Sequence, residues 1–259
     1  MDSTDQIAFI RRIRTALGHA PDIARTLPDL FAQAPTAEER ELLERIDCRS
    51  AAERRALFAQ LVEAGKPLRL NVTPVADAAA AGAAVLGLID QKSPEWGTRK
   101  SVAAWRHPLV DSLDLGEALA GRGIPLHVTE PIDPAADAAC DQAERDRQRA
   151  ALIESFIGVT SADVCMADTA TLVMRNRPGQ PRSVALVPSI HVAVIALDQL
   201  LADMKELFAL LRWDERFRAE ALTNYMSFIS GPSKTADIEA TMVHGAHGPR
   251  EVHLFVVSG

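Results

Sequence analysis

The sequence predicts an α/β protein: a mostly parallel sheet flanked by helices, preceded by a helical extension. Three observations carry this. Short apolar runs at 68–72, 101–105 and 126–129 alternate with helical patterns at 75–89, 115–120 and 141–157. Glycines and prolines bound most of these runs, as strand and helix limits require. With 259 residues, 47% of them hydrophobic and 24% charged, the chain is long enough for a substantial core.

The elements follow in order. Ile7, Ile10, Ile13 and Leu17 recur at helical spacing, so 5–17 reads as a helix. Pro21 and Pro28 interrupt the chain. A second helix covers 37–46, with Thr36 as N-cap and Glu39 three residues later. A third covers 51–64 and ends at Gly65. Residues 1–66 therefore read as a helical extension, and 67–259 as the α/β domain. Strand–helix alternation then asks for crossover connections and parallel strands. The charged helix at 141–157 ends at Gly158, a C-cap by type. Two short strands, 164–167 and 171–174, flank the turn Asp168-Thr169-Ala170. Strands at 184–188 and 191–195, a helix at 198–211, and strands at 225–229 and 251–257 complete the reading.

Composition narrows the function. The net charge of −7 and pI near 5.5 disfavour nucleic acid, whose backbone needs a dense basic face. Arg11, Arg12 and Arg14 form a solvated helix face. No apolar run approaches the roughly 18 residues of a membrane span. The first residues carry acids where a secretory signal carries lysines, so a cytoplasmic protein is expected. Cys48, Cys140 and Cys165 lie far apart without a Cys-x-x-Cys. The chain is therefore expected to hold no iron–sulfur cluster or structural zinc of its own.

The most informative segment is Ser230-Gly231-Pro232-Ser233-Lys234-Thr235-Ala236-Asp237-Ile238-Glu239, which follows a strand and leads into a short helical pattern. A second polar cluster, His244-Gly245-Ala246-His247-Gly248-Pro249, precedes the last strand. Polar residues where a strand ends and a helix begins place a binding site at that sheet edge. Gly231 frees the backbone, the Ser233 and Thr235 hydroxyls can hold a carboxylate or phosphate, and Lys234 adds positive charge. The same residues suit a helix start, with Thr235 as N-cap and Asp237 as first-turn acid. Both readings stay open.

Four patterns coincide: Gly158-Val159-Thr160-Ser161-Ala162-Asp163, Asp168-Thr169-Ala170-Thr171-Leu172, Pro188-Ser189-Ile190-His191, and the 230–249 segment. Together they resemble the lactate utilisation (LUD) domain family, and within it the C-type proteins. The resemblance is dense from about residue 150 to 257. It implies a fold like the NagB/RpiA/CoA-transferase group. It implies a role in oxidation of L-lactate to pyruvate, beside partner proteins that carry the iron–sulfur clusters. Ala170 departs from the glycine common at that place in the family, which forces a negative φ there or imposes strain.

The residues expected at the site follow. Glu239 is the candidate general base or acyl-accepting carboxylate, and His247 the candidate proton donor or carboxylate partner. Thr160, Thr169, Thr171, His191, Gly231, Ser233, Lys234, Thr235 and Asp237 are expected to bind a small carboxylate substrate. No metal is assigned, although His191, His244 and His247 leave one open. A Ser161–His191–Asp163 triad lacks the Gly-x-Ser-x-Gly elbow. An alternative reading is a stand-alone transferase or isomerase acting on a phosphorylated or CoA-linked acid.

Overall fold

The computed structural model describes residues 3–18, 34–95, 97–131, 138–219, 225–236, 242–245 and 247–258. The chain divides into two compact units, Met1–Thr36 and Ala37–Gly259. The first contains helix α1 (Ser3–Ala16). The second opens with α2 (Ala37–Asp47) and α3 (Ala51–Leu68). Ser50 and Glu53 close a capping box at the start of α3. The sequence grouped α2 and α3 with the N-terminal extension. They lie in the same unit as the α/β elements, where Leu61 of α3 is fully buried in the core. The helix also runs through Gly65 rather than stopping there.

The α/β elements are β1 (Leu70–Val75), α4 (Ala78–Gln91), β2 (Val102–Ala104), α5 (Pro108–Asp111), α6 (Leu115–Ala120), β3 (Leu126–Val128), α7 (Ala138–Glu154), β4 (Ile157–Thr160), β5 (Val164–Met166) and β6 (Thr171–Arg175). Then come α8 (Ser183–Leu186), β7 (Ile190–Ala196), a 3-10 turn (Leu197–Gln199), β8 (Leu200–Leu201), α9 (Met204–Trp213) and α10 (Glu215–Arg218). The last strands are β9 (Met226–Ile229), β10 (Lys234–Ala236), β11 (Met242–His244) and β12 (Glu251–Val257).

Six strands form one sheet in the order β1-β12-β7-β4-β2-β3, and every pairing in it is parallel. β7 and β4 are buried almost throughout, as expected of strands covered on both faces. Val252, Leu254, Ala193 and Ile195 face one core cluster, while Val192, Val194, Phe255 and Val257 face another. This is the period-2 alternation of strands packed on both sides. Pro74 sits in β1, an edge strand, where a missing N–H leaves no ladder bond open.

A second sheet has the order β8-β5-β6-β9, with β5 and β9 antiparallel to β6. β10 and β11 form a separate antiparallel pair. This corrects the expectation at Lys234 and Thr235. They lie in a strand, so Thr235 is not a helix N-cap. Further expectations fail: the helix read over 198–211 begins only at Met204, after a 3-10 turn and β8. Val184–Leu186, read as strand, belongs to helix α8. Gly158, read as a helix C-cap, lies inside β4, because a Cβ there would stand 1.8 Å from the Val184 carbonyl oxygen. Close approach of backbone to backbone, not chain reversal, requires glycine at that position.

Candidate functional site

The polar residues singled out by the sequence separate into three groups. The first is buried. His191, second residue of β7, and Thr160, last residue of β4, are both fully buried, and the His191 Nε2 and Thr160 Oγ1 are hydrogen-bonded at 2.8 Å. Burial, helped by the charge of His253, pushes the His191 pKa down to about 3, so the imidazole is neutral. Its Nδ1 has no hydrogen-bond partner.

The second group gathers at the start of β6. The Thr171 hydroxyl donates to the Thr169 carbonyl at 3.1 Å and lies 3.0 Å from the Thr169 hydroxyl. It also lies 2.7 Å from the Ser230 hydroxyl, just beyond β9. Ala170 stands between the two threonines with φ of 47°, the left-handed conformation that a glycine would take without strain. Gly231 follows with φ of 93° and packs so closely on Leu68 that a Cβ would stand 2.8 Å from its carbonyl oxygen.

The third group is the base of the β10–β11 pair. The Ser233 N–H donates to the Pro249 carbonyl at 2.8 Å, and the Gly245 N–H donates to the Ser233 carbonyl at 3.1 Å. Lys234 and Thr235 pair with His244 and Val243 across the ladder. Lys234 and His247 are exposed. Asp237 and Glu239 fall outside the described residues, as does the side chain of His244. Pro249 precedes β12 and Leu68 precedes β1. Gly231, Ser233 and Pro249 therefore lie by the amino ends of β1 and β12, whereas the sequence reading placed the site where a strand ends and a helix begins. Among the described residues, no group of three or more His, Cys, Asp or Glu could hold a metal.

The carboxyl edge carries a cluster of which the sequence reading named Asp163 but not its charged partners. Asp163, just beyond β4, accepts hydrogen bonds from the Arg175 N–H at 2.7 Å and from its Nε at 2.9 Å. Arg177 also donates to it through Nη2. The side chains of Asp163 and Arg175 are each 5% exposed. Burial pushes the Asp163 carboxyl up, but the bonds from Arg177 and Arg175 outweigh it and hold the pKa below its ordinary value. On the neighbouring strand, Trp105 Nε1 donates to the Pro181 carbonyl at 2.9 Å. His107 Nδ1 accepts from the Leu109 N–H at 3.2 Å and caps α5. Arg106 is paired with Glu130 and Asp111. Isolated charged residues give no local motif, which is why this cluster becomes visible only once strand order is known.

A family model described as the LUD domain matches residues 58–257. This chain belongs to the LUD domain family. Proteins named Lactate utilization protein C are similar to it. That of Exiguobacterium sp. is 35% identical over 117 residues, 45% of this chain and 50% of that protein. That of Halalkalibacterium halodurans is 30% identical over 65% of this chain and 67% of that protein. That of Shouchella clausii is 30% identical over 61% and 62% respectively. The LUD chain thus aligns with about half to two thirds of the length of these relatives. A crystal structure of a duf162 family protein from Deinococcus radiodurans matches with a TM-score of 0.46 at 19% identity, over 80% of the LUD chain and 98% of that structure. Within the LUD match lie both the hydroxyl cluster at Thr171 and the charged cluster at Asp163. Among the described residues of the LUD chain, no helix is long and apolar enough to cross a membrane.

Proposed function

We propose that this chain is an accessory subunit of an iron–sulfur system that oxidises L-lactate to pyruvate. The observation that carries the reading is the LUD domain match over residues 58–257, together with the relatives named Lactate utilization protein C. The oxidation removes two electrons and two protons from the 2-hydroxy acid. The chain's cysteines lack cluster spacing, so in this reading partner proteins carry the clusters and accept the electrons. In the cell the assembly is cytoplasmic. The parallel sheet is read as a variant of the NagB/RpiA/CoA-transferase architecture.

The small carboxylate is held, in this proposal, by the hydroxyls of Thr169 and Thr171 with Gly231, Ser233, Lys234 and Thr235 nearby. Thr160 and His191 form the buried support beneath. Asp237 contacts substrate, and Glu239 and His247 handle protons. Small hydroxyl donors and a backbone freed by glycine suit a compact carboxylate better than a bulky ligand.

The test is to combine the purified chain with its two cluster-bearing partners and to follow both co-elution and lactate-dependent reduction. Expected is a stable complex whose reduction rate falls in Lys234→Ala. A chain that stays monodisperse beside both partners, with lactate oxidation unchanged when it is omitted, overturns the proposal.

A further inference from the structure

The second sheet treats its two edges differently. At one edge lies β8. Its Leu200 carbonyl accepts a hydrogen bond from Arg49 Nη1 at 3.0 Å, and Glu206 holds the same guanidinium at 2.6 Å. Both side chains are buried, so this edge is closed from within the chain. At the other edge lies β9, which among the described residues pairs with β6 alone.

The register shows which groups β9 leaves over. Asn176, directly after β6, donates its N–H to the Tyr225 carbonyl at 3.1 Å. Opposed residues in an antiparallel ladder alternate between bonded and non-bonded pairs. Tyr225, Ser227 and Ile229 therefore turn their N–H and C=O toward β6, while Met226 and Phe228 turn theirs outward. Among the described residues, none bonds to those outward groups. The side chains are open as well: Phe228 is 46% exposed and Tyr225 48%. From Tyr225 to Ser230 the chain holds no charge and no proline, the devices that usually guard an edge.

These groups suit a copy of themselves. About a two-fold axis at Ser227, antiparallel β9 strands set Met226 opposite the partner's Phe228, and each such pair exchanges N–H···O=C bonds in both directions. Ser227 then faces the partner's Ser227 in a non-bonded pair, where small side chains fit and hydroxyls can bond to each other. Met226 already packs on the core cluster that contains Val173 and Leu207. The partner's Phe228 extends that cluster, thioether against ring. Charge sets a further condition. Two copies of a chain with net charge −7 repel, and a charge at the axis would meet its own copy. β9 carries none. Arg182, whose guanidinium stacks 4.0 Å from the Tyr225 ring centroid, lies toward the end of the strand and not at the axis.

We propose that β9 is a dimer interface, joining the second sheets of two copies of this chain into one continuous sheet across a two-fold axis at Ser227. A second copy is the occupant because the outward donors and acceptors, the small residue at the axis and the Met–Phe pairing all repeat under the rotation. Ser230 follows β9 directly, so the pairing also steadies the strand that carries its hydroxyl to Thr171. The inference rests on strand register, not on the lactate reading.

The test uses the full chain alone. Sedimentation equilibrium is run from about 1 to about 100 μM, a range that spans a modest affinity. Expected at the upper end is twice the 28.0 kDa of one chain. Phe228→Lys removes a cross-strand pair on each side of the axis and places a charge on the edge. It should raise the dissociation constant at least about tenfold, with the dilute monomer melting near the wild-type temperature. Cysteines read the register, in a background carrying Cys48→Ser and Cys140→Ser. Ser227→Cys should form an interchain disulfide on mild oxidation, because Cα atoms of a non-bonded pair stand about 4.5 Å apart. Tyr225→Cys should not, since its copy lies roughly 14 Å away along the paired strands. A chain that stays monomeric at every concentration overturns the inference. So does a dimer that Phe228→Lys leaves at full strength, a Ser227→Cys protein that does not cross-link, or equal cross-linking of both cysteine variants. None of these results touches the partner-complex experiment.

Discussion

Asp163 holds Arg175 at both ends of that residue, taking its backbone N–H at 2.7 Å and its guanidinium Nε at 2.9 Å. The pair ties the strand–loop junction after β4 to the last residue of β6. The parallel sheet and the mixed second sheet are thereby joined at a buried point. Arg175 also donates to the Phe217 carbonyl and stacks on the Phe217 ring, 4.5 Å from its centroid.

Removing the acid should therefore be expensive. Asp163→Ala leaves Arg175 buried without its main counter-ion, and is expected to lose about 3–5 kcal/mol in urea unfolding. The Asp163 pKa lies below its ordinary value of 3.8. Its contribution is then fully present above that value and fades as pH falls through the folded pKa. Acid titration of the wild type should show an extra loss of stability below about pH 4 that the variant lacks.

Ala170 predicts a gain. An L-residue at φ of 47° carries strain that glycine does not, about 1 kcal/mol. Ala170→Gly should raise stability by up to about 0.6 kcal/mol, after allowing for the freer unfolded chain. Thermal unfolding of the two proteins side by side checks this. A lower melting temperature in the glycine variant would show that the buried methyl matters more than the strain.

Gly158 and Gly87 make a contrasting pair. A methyl at Gly158 collides with the Val184 carbonyl, whereas one at Gly87, in α4, meets nothing within 4 Å. Gly158→Ala is expected to lose at least about 3 kcal/mol or to yield insoluble protein. Gly87→Ala is expected to gain up to about 1 kcal/mol through helix propensity. Denaturation midpoints of both variants decide the matter.

His191 should be silent where most histidines titrate. With its pKa pushed down to about 3, its imidazole signals should not move in NMR spectra between pH 8 and pH 5. The unfolded chain takes up this proton near pH 6.5, so stability is intact above that pH and falls below it, at about 1.4 kcal/mol per pH unit for one proton. His107 and His253 shift in the same direction and add to the slope. His191→Gln should reduce it by one proton's worth.

Much of the fold was legible because period and punctuation agreed. The helix at Leu115–Ala120 and the pair of strands around Asp168–Ala170 stand where their patterns placed them. The failures share a cause. Val184–Leu186 is a short apolar run, and such a run suits a buried helix turn as well as a strand. Gly158 ends a charged helical pattern, as a C-cap would, but its glycine answers to packing against α8. The site was legible only in pieces. Thr171 and Ser230 lie far apart in sequence and meet because β6 pairs with β9. The Asp163–Arg175–Arg177 cluster depends on the turn after β4 meeting the end of β6, and no local spacing encodes that.

Pro74 has a consequence for how copies of this protein meet. The sheet has two outer strands, β1 and β3. Proline withholds an N–H from one, and the other offers only three residues. Neither is a good template for a further strand, so growth into extended ribbons is disfavoured at both ends. In concentrated solution, or in a lattice, neighbouring molecules should meet away from these two edges.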